Sequence, residues 1–274
     1  MITCRVIQSG FSDAATNMAL DEAIFLSHKK DTFTPTLRLY GWKTPSFSIG
    51  HSQDPQKILD LEICHNEGVD FVRRPTGGGV IFHDHELTYS LVLAQSDLGL
   101  SCRIKESFEK LTSFLILAYQ TLGGDACFAK DRSQALFNYP EIADFCFSRK
   151  EEYDILVNGR KLGGNAQKRK KDIILQHGSI PLSFNKMKAA RFFKDSGSVE
   201  SIEITSVRDF SAREMDFDRL SDVLIKAFSL HFKTILDFGG LTDEEEILAA
   251  DLKSSKYTNP EWNYNGNTRE ALVA

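Results

Sequence analysis

Three short segments of this 274-residue chain hold residue types able to do chemistry. The first runs Arg73-Arg74-Pro75-Thr76-Gly77-Gly78-Gly79-Val80-Ile81-Phe82-His83-Asp84. Three consecutive glycines open backbone angles closed to other residues. They also let a ligand come close to main-chain amides that can hold an anion or a carbonyl oxygen. The two arginines can add charge-assisted contacts to phosphate. A solvated connector is the ordinary explanation of a bare glycine triplet. Neither the Gly-Lys-Ser/Thr of a nucleotide-binding loop nor a Gly-x-Gly-x-x-Gly spacing is present.

The second segment is Tyr153-Asp154-Ile155-Leu156-Val157-Asn158-Gly159-Arg160-Lys161-Leu162-Gly163-Gly164-Asn165-Ala166-Gln167. Asn158-Gly159 predicts a hairpin with a type I′ turn. A lysine just past such a turn is ordinarily a solvated charge. Lys161, however, leads straight into Gly163-Gly164, backbone that another group can approach closely. The third segment, Gln176-His177-Gly178-Ser179-Ile180, reads as a strand of small residues able to line the same cleft.

Elements to position these segments are legible in the periodicity. Met18, Ala19, Ala23, Phe25 and Leu26 predict a helix that Asp13 can cap. Thr36–Trp42 and Ser46–Gly50 predict strands around a turn at Lys43-Thr44-Pro45. A helix is expected over Gln56–Asn66, stopped near Gly68. Strands are expected on both sides of the glycine triplet and over Leu87–Ala94. Arg103–Leu122 predicts a long amphipathic helix, and Ala126–Leu182 reads as strand-rich. Further helices are expected over Phe217–Phe232 and Asp243–Ser254. Hairpins mixed with helices, without a regular βαβ repeat, indicate an α+β domain. No linker-like tract divides the chain, so residues 1–235 read as one catalytic-type domain and 236–274 as its helical C-terminal segment.

Composition narrows the field. A net charge of -5 gives no global case for nucleic-acid binding. The run Gln167-Lys168-Arg169-Lys170-Lys171 is ordinarily a solvated loop. No segment approaches the roughly 20 apolar residues of a membrane helix, and the N-terminus lacks the pattern of a signal peptide. Five cysteines at irregular spacing, with no Cys-x-x-Cys pair, argue against a disulfide framework or a structural zinc site. No metal site is expected, and a soluble, cytoplasmic protein is.

In this order, the glycine loop with Phe82-His83-Asp84, the Lys161 hairpin and the Gln176–Ile180 strand resemble the lipoate attachment family. That family comprises lipoate-protein ligases, octanoyltransferases and the more distant biotin-protein ligases. Asn17–Glu22, Leu37–Trp42, Gly50 with Gln53, and Lys256-Tyr257 with Glu261-Trp262-Asn263 extend the resemblance over nearly the whole chain. It implies a biotin/lipoate ligase-like catalytic domain, a mixed bent sheet flanked by helices, enclosing a narrow acyl tunnel. Lys161 matches the family's essential lysine, whose ammonium can hold an acyl carbonyl oxygen as negative charge develops. Arg74, Thr76, Gly77, Gly78, Gly79 and His83 match the substrate-binding loop, and Gly164, Asn165 and Ala166 the positions after the lysine. A structural role for His83 is an equal reading.

Two activities fit the resemblance. Octanoyltransferases of the cysteine-dependent group take octanoate from acyl carrier protein onto a thiol and pass it to a lysine of a lipoyl domain. They need no cofactor, because the thioester donor is already activated. Cys146-Phe147, shortly before the Tyr153 strand, resembles their nucleophile, and a nearby lysine ammonium would lower its thiol pKa. A free cysteine is otherwise a small buried hydrophobe, the reading kept for the other four. Lipoate-protein ligases instead form an acyl-adenylate from ATP and magnesium. The three unbroken glycines are closer to their loop, whereas the ending near Trp262 resembles single-domain transferases. The transferase reading is favoured. A non-catalytic module binding acyl groups or carrier protein is a minor alternative. The implied acceptors are lipoyl-domain proteins: the E2 subunits of 2-oxoacid dehydrogenases and the glycine-cleavage H protein. The basic run at 167–171 is a candidate docking point for such acidic partners.

Overall fold

The computed structural model describes residues 2–28, 34–100, 103–132, 152–200 and 203–266. The chain opens with β1 (Thr3–Ser12), α1 (Ala14–Ser27), β2 (Thr36–Trp42) and β3 (Ser46–Ile49). Two short helices, α2 (Pro55–Ile58) and α3 (Leu61–Asn66), precede β4 (Asp70–Arg73), β5 (Ile81–His83) and β6 (Glu86–Ala94). Helix α4 (Ile104–Thr121) leads to β7 (Ala126–Phe128), β8 (Ile155–Val157), β9 (Arg160–Lys161), β10 (Gly164–Lys170) and β11 (Ile173–Pro181). Then come α5 (Lys186–Ala190), α6 (Ser196–Glu200), α7 (Phe217–Phe232), β12 (Ile235–Phe238), α8 (Asp243–Leu252), a π-helical turn at Lys253–Tyr257, and α9 (Pro260–Asn265).

The principal sheet has the order β10-β11-β6-β2-β1-β12. It is mixed: β1 runs parallel to β2 and β12, and the other neighbours are antiparallel. Smaller sheets, β4-β3-β5 and β7-β8-β9, carry the glycine loop and the lysine hairpin. Side chains alternate across a strand with period two, and here the two faces differ in chemistry. Leu37 and Leu39 of β2 and Leu87, Tyr89, Leu91 and Leu93 of β6 enter the core under α4 and α7. The intervening Arg38, Tyr40, Thr88 and Ser90 are also buried, on the α1 side. A sheet with one polar face buried under a helix has positioned that face for something other than packing.

Helix α1 begins as the sequence predicts, with Asp13 Oδ1 accepting from the Thr16 amide at 2.8 Å. Yet Asn17, Asp21 and Glu22 on it are buried. The single helix expected over Gln56–Asn66 is two: Leu59 is drawn into the core and bridges Phe193, and Asp60 recaps the chain by accepting from the Ile63 amide. Strand β12 was not apparent from periodicity, because only one of its edges is paired and its residues are largely exposed. Among the described residues no helix is long and apolar enough to cross a membrane.

Candidate active site

A narrow cleft opens between α1, the polar face of β2, β6 and β11, and the β3–β5 sheet. Met18, Tyr40, Trp42 and Ile81 give it apolar walls, and Gly164, Ala166 and Gly178 keep its strand side low. Apolar walls with a few convergent polar groups are the usual make-up of a small-molecule site.

Of the residues singled out from sequence, Arg74, His83, Gly164 and Ala166 line it, as do His177, Gly178 and Ser179 of the third segment, whereas Lys161 is not part of its lining. Asn165 alternates to the opposite face of β10, where its Oδ1 accepts from the Tyr89 hydroxyl at 2.7 Å. The hairpin at Asn158-Gly159 forms as expected, both residues at positive φ (49° and 83°). It leaves Lys161 only 2% exposed, with Nζ 2.7 Å from Asp154 Oδ2. Cys146 lies outside the described residues. The thiols of the described Cys4 and Cys64 are pushed up by burial, to about 12 and about 11, as expected of packing residues.

The two arginines of the glycine loop are structural keystones as well as charges. Arg73 donates to the carbonyls of Gly50, His51 and Gln53 on one side and of Trp262, Asn263 and Tyr264 on the other. It therefore ties the C-terminal segment to the loop after β3. Arg74 donates from Nη1 to the Ser48 carbonyl at 2.9 Å, and from Nη2 to those of Gly77 and Gly79, each at 2.7 Å. Since C=O and N–H of one peptide point in opposite directions, the Gly78 amide is turned away from the guanidinium. Gly78 itself sits at φ 91°. A Cβ on Gly50 would lie 1.9 Å from the Gly78 carbonyl oxygen, so the loop closes only over glycine.

His83 is saturated by protein. Its Nδ1 lies 2.7 Å from Glu86 Oε1 and its Nε2 2.7 Å from Ser48 Oγ. Its ring stacks on Trp42 at 3.8 Å between centroids. Glu86 also accepts from Thr88 and Ser179, each at 2.5 Å. This geometry favours the structural reading of His83, as a wall of the pocket.

A second buried network was not singled out from sequence. Asp21 accepts from Arg38 at 2.6 Å, Ser90 at 2.7 Å and Tyr40 at 2.8 Å. Burial alone would raise its carboxyl, but Arg38, His177 and Ser90 hold it below the ordinary carboxylate range. Burial, then the charge of Asp21, pushes the Tyr40 phenol far up. His177 joins this network to the glycine loop, with Nε2 2.7 Å from Thr76 Oγ1. The available signal was the set of polar residues at alternate positions of otherwise apolar strands: Arg38, Tyr40, Thr88, Ser90, His177 and Ser179. Among the described residues, no three His, Cys, Asp or Glu side chains converge as a metal site.

The sequence model of the lipoyl protein ligase A/B catalytic domain matches residues 13–229. The chain belongs to this family. Among lipoyl protein ligase A/B relatives, the octanoyltransferase LipM of Kyrpidia tusciae is 36% identical over 96% of this chain and 99% of its own. That of Bacillus subtilis is 34% identical over 96% and 98%. Solved structures share the fold. A lipoate-protein ligase A bound with ATP superposes with a TM-score of 0.81, 24% identity, and coverage of 96% and 99%. The bipartite lipoate protein ligase of Thermoplasma acidophilum, described with its E2 lipoyl domain, gives 0.81, 23% identity, and coverage of 99% and 100%. The α+β ligase-like fold implied by the sequence is thus the one observed.

Proposed function

We infer that this chain transfers an octanoyl group, or the related lipoyl group, from acyl carrier protein to the target lysine of a lipoyl domain. The observation that carries this reading is identity of 34–36% to octanoyltransferases over essentially both full lengths. A pocket with apolar walls, bounded on one side by Gly164 and Ala166 just after Lys161 in the chain, agrees with it. In this reading the Cys146 thiolate attacks the thioester carbonyl, and Lys161 with the Gly78 amide stabilises the oxyanion. Collapse expels the carrier's thiolate and leaves an acyl-cysteine. The neutral ε-amine of the acceptor lysine then attacks that thioester, loses a proton, and releases the Cys146 thiolate with the amide formed. Arg74, Thr76, Gly77, Gly79, Gly164 and Ala166 shape the acyl site. The chemistry requires no metal or cofactor, and the E2 subunits and the glycine-cleavage H protein are the acceptors it suits.

The unbroken Gly77-Gly78-Gly79 favours a second reading, ATP-dependent ligation through an acyl-adenylate with magnesium. Intact-mass spectrometry of an apo lipoyl domain separates the two. Modification by octanoyl-carrier protein without ATP, with an acyl group trapped on Cys146 and lost in Cys146→Ala, is the expected result. Modification only by octanoate or lipoate with ATP and magnesium overturns it.

A further inference from the structure

The pocket's buried histidine has an orientation fixed from both sides. His177 Nδ1 faces Asp21 Oδ2 at 3.5 Å. A lone pair pointed at a carboxylate is repulsive, so the proton of the neutral ring belongs on Nδ1. On the other side, Thr76 Oγ1 already accepts from Arg74 Nε at 3.2 Å. With the ring proton on Nδ1, Nε2 carries the lone pair, so the Thr76 hydroxyl donates to it, 2.7 Å away. The donors run one way: Arg74 to Thr76, Thr76 to His177, His177 to Asp21. The chain ends on a carboxylate whose remaining positions are filled by Arg38, Tyr40 and Ser90.

We propose that His177 is a positioning residue for acyl transfer: its Nε2 accepts the Thr76 hydroxyl and so holds Arg74 and the glycine loop in register with the acyl pocket. The proposal rests on the transferase or ligase reading of the site only for its kinetic consequence. Arg74 is the residue whose guanidinium holds the Gly77 and Gly79 carbonyls. Fixing its Nε through Thr76 fixes which way the loop amides face.

The arrangement works only with a neutral ring. Protonation makes both nitrogens donors, so the Thr76–His177 bond reverses and Oγ1 must accept from Nε2 as well as from Arg74 Nε. The charged and titratable groups acting on the ring are Asp21 from α1, His83 from β5 and Arg74 from the loop before β5; Arg38 from β2 and Glu86 from β6 are hydrogen-bonded to Asp21 and His83. Burial, with Arg74 and His83, opposes the imidazolium, while Asp21 favours it, and the balance lies below the ordinary histidine value of 6.5. Acid should thus disarm the loop without touching a reacting atom.

The test has two arms. Ring-15N NMR on the full chain labelled at histidine reads the tautomer without any substrate. The expected result is an Nδ1–H neutral ring for His177 at pH 7.5, persisting below pH 6.5. An Nε2–H ring, or a cationic one at neutral pH, overturns the proposal whatever reaction the protein performs. The second arm is the pH profile of kcat/KM for acyl transfer. In the wild type it should carry an acid limb of about tenfold per pH unit. The thiolate and the acceptor amine contribute to that limb in every variant; His177→Gln keeps an acceptor for Thr76 but cannot take a proton, so the ratio of its activity to the wild type's should rise as pH falls below 6.5. Thr76→Ser, which keeps the hydroxyl, should restore most of the activity that Thr76→Val loses, on the order of a hundredfold, while Thr76→Val also lowers Tm by leaving Arg74 Nε and His177 Nε2 unpaired. A ratio of His177→Gln to wild type that does not change with pH, or equal activity of the two Thr76 variants, overturns the positioning role.

Discussion

Lys161 Nζ and Asp154 Oδ2 lie 2.7 Å apart across the base of the β8–β9 hairpin, with side-chain exposures of 3% and 13%. The contact pairs the ammonium with a carboxylate and aims it. Lys161→Ala should cost about a hundredfold to a thousandfold in transfer rate, the scale of losing one oxyanion donor. Asp154→Asn should also slow transfer and lower Tm, because the ammonium would be left buried with less compensation. Single-turnover acylation together with thermal melting checks both. A normal rate in Lys161→Ala removes the residue from the chemistry.

Arg73 makes a stability prediction separate from catalysis. Its guanidinium donates to six carbonyls in two segments far apart in sequence. Its own amide donates to Asn263 Oδ1 at 2.9 Å. A lysine ammonium has three donors and no planar fork. Arg73→Lys should destabilise the chain by about 3 kcal/mol or more, since hydrogen bonds from charged groups contribute roughly 1.5–3 kcal/mol each. Urea unfolding reads this as a lower midpoint at unchanged slope. A midpoint within error of the wild type would mean that the C-terminal segment is held elsewhere.

Acid should unfold the protein through its buried α1 network. Asp21 is held below its ordinary 3.8 in the fold, so the unfolded chain binds the proton more readily. Its contribution is therefore complete above about pH 4 and is lost as pH falls through the folded value. His177 acts earlier on the same side. Its folded value lies below 6.5, so the unfolded chain takes that proton first and stability declines from about pH 6.5 downward. Asp21→Asn should lower stability at pH 7 by about 3–5 kcal/mol, by leaving Arg38 buried without its counter-charge. It should also flatten the wild type's loss of stability below pH 4. A variant as steep there as the wild type would place the acid-sensitive group elsewhere.

The Asp13 cap, the Asn158-Gly159 turn and the glycine loop were readable because each is a local backbone requirement written in residue type. The split at Leu59-Asp60 was not, because a tertiary contact with Phe193 overrides an otherwise continuous helical period. The buried network was hidden for a different reason. Asp21, Arg38 and His177 stand in three distant segments, and each taken alone is an ordinary polar residue. Only the sheet register brings them together, placing Arg38 opposite Ser90 and Ser90 opposite His177. The resemblance to a family pointed at those stretches without saying what joins them. The candidate nucleophile, Cys146, rests on sequence alone.

The basic run at 167–171 proves to be two different things. Lys168 is half-buried, 4.0 Å from Glu22 Oε1, and burial lowers its pKa. Arg169 donates to Gln167 and to the Ser107 hydroxyl. Neither is a free charge for steering a partner. Lys170 and Lys171 are exposed at the turn from β10, the outer strand of the sheet, into β11. Exposed like charges steer an acidic protein without contributing much to a small ligand. Lys170→Glu with Lys171→Glu should raise KM for octanoyl-carrier protein or lipoyl domain several-fold, and leave hydrolysis of a small octanoyl thioester unchanged. The effect should shrink between 0.02 and 0.3 M salt, as screening shortens the reach of surface charge to below about 10 Å. Lys168→Glu should instead lower Tm, since it sets a carboxylate beside Glu22. If KM does not change in the double variant at low salt, the partner docks on another face.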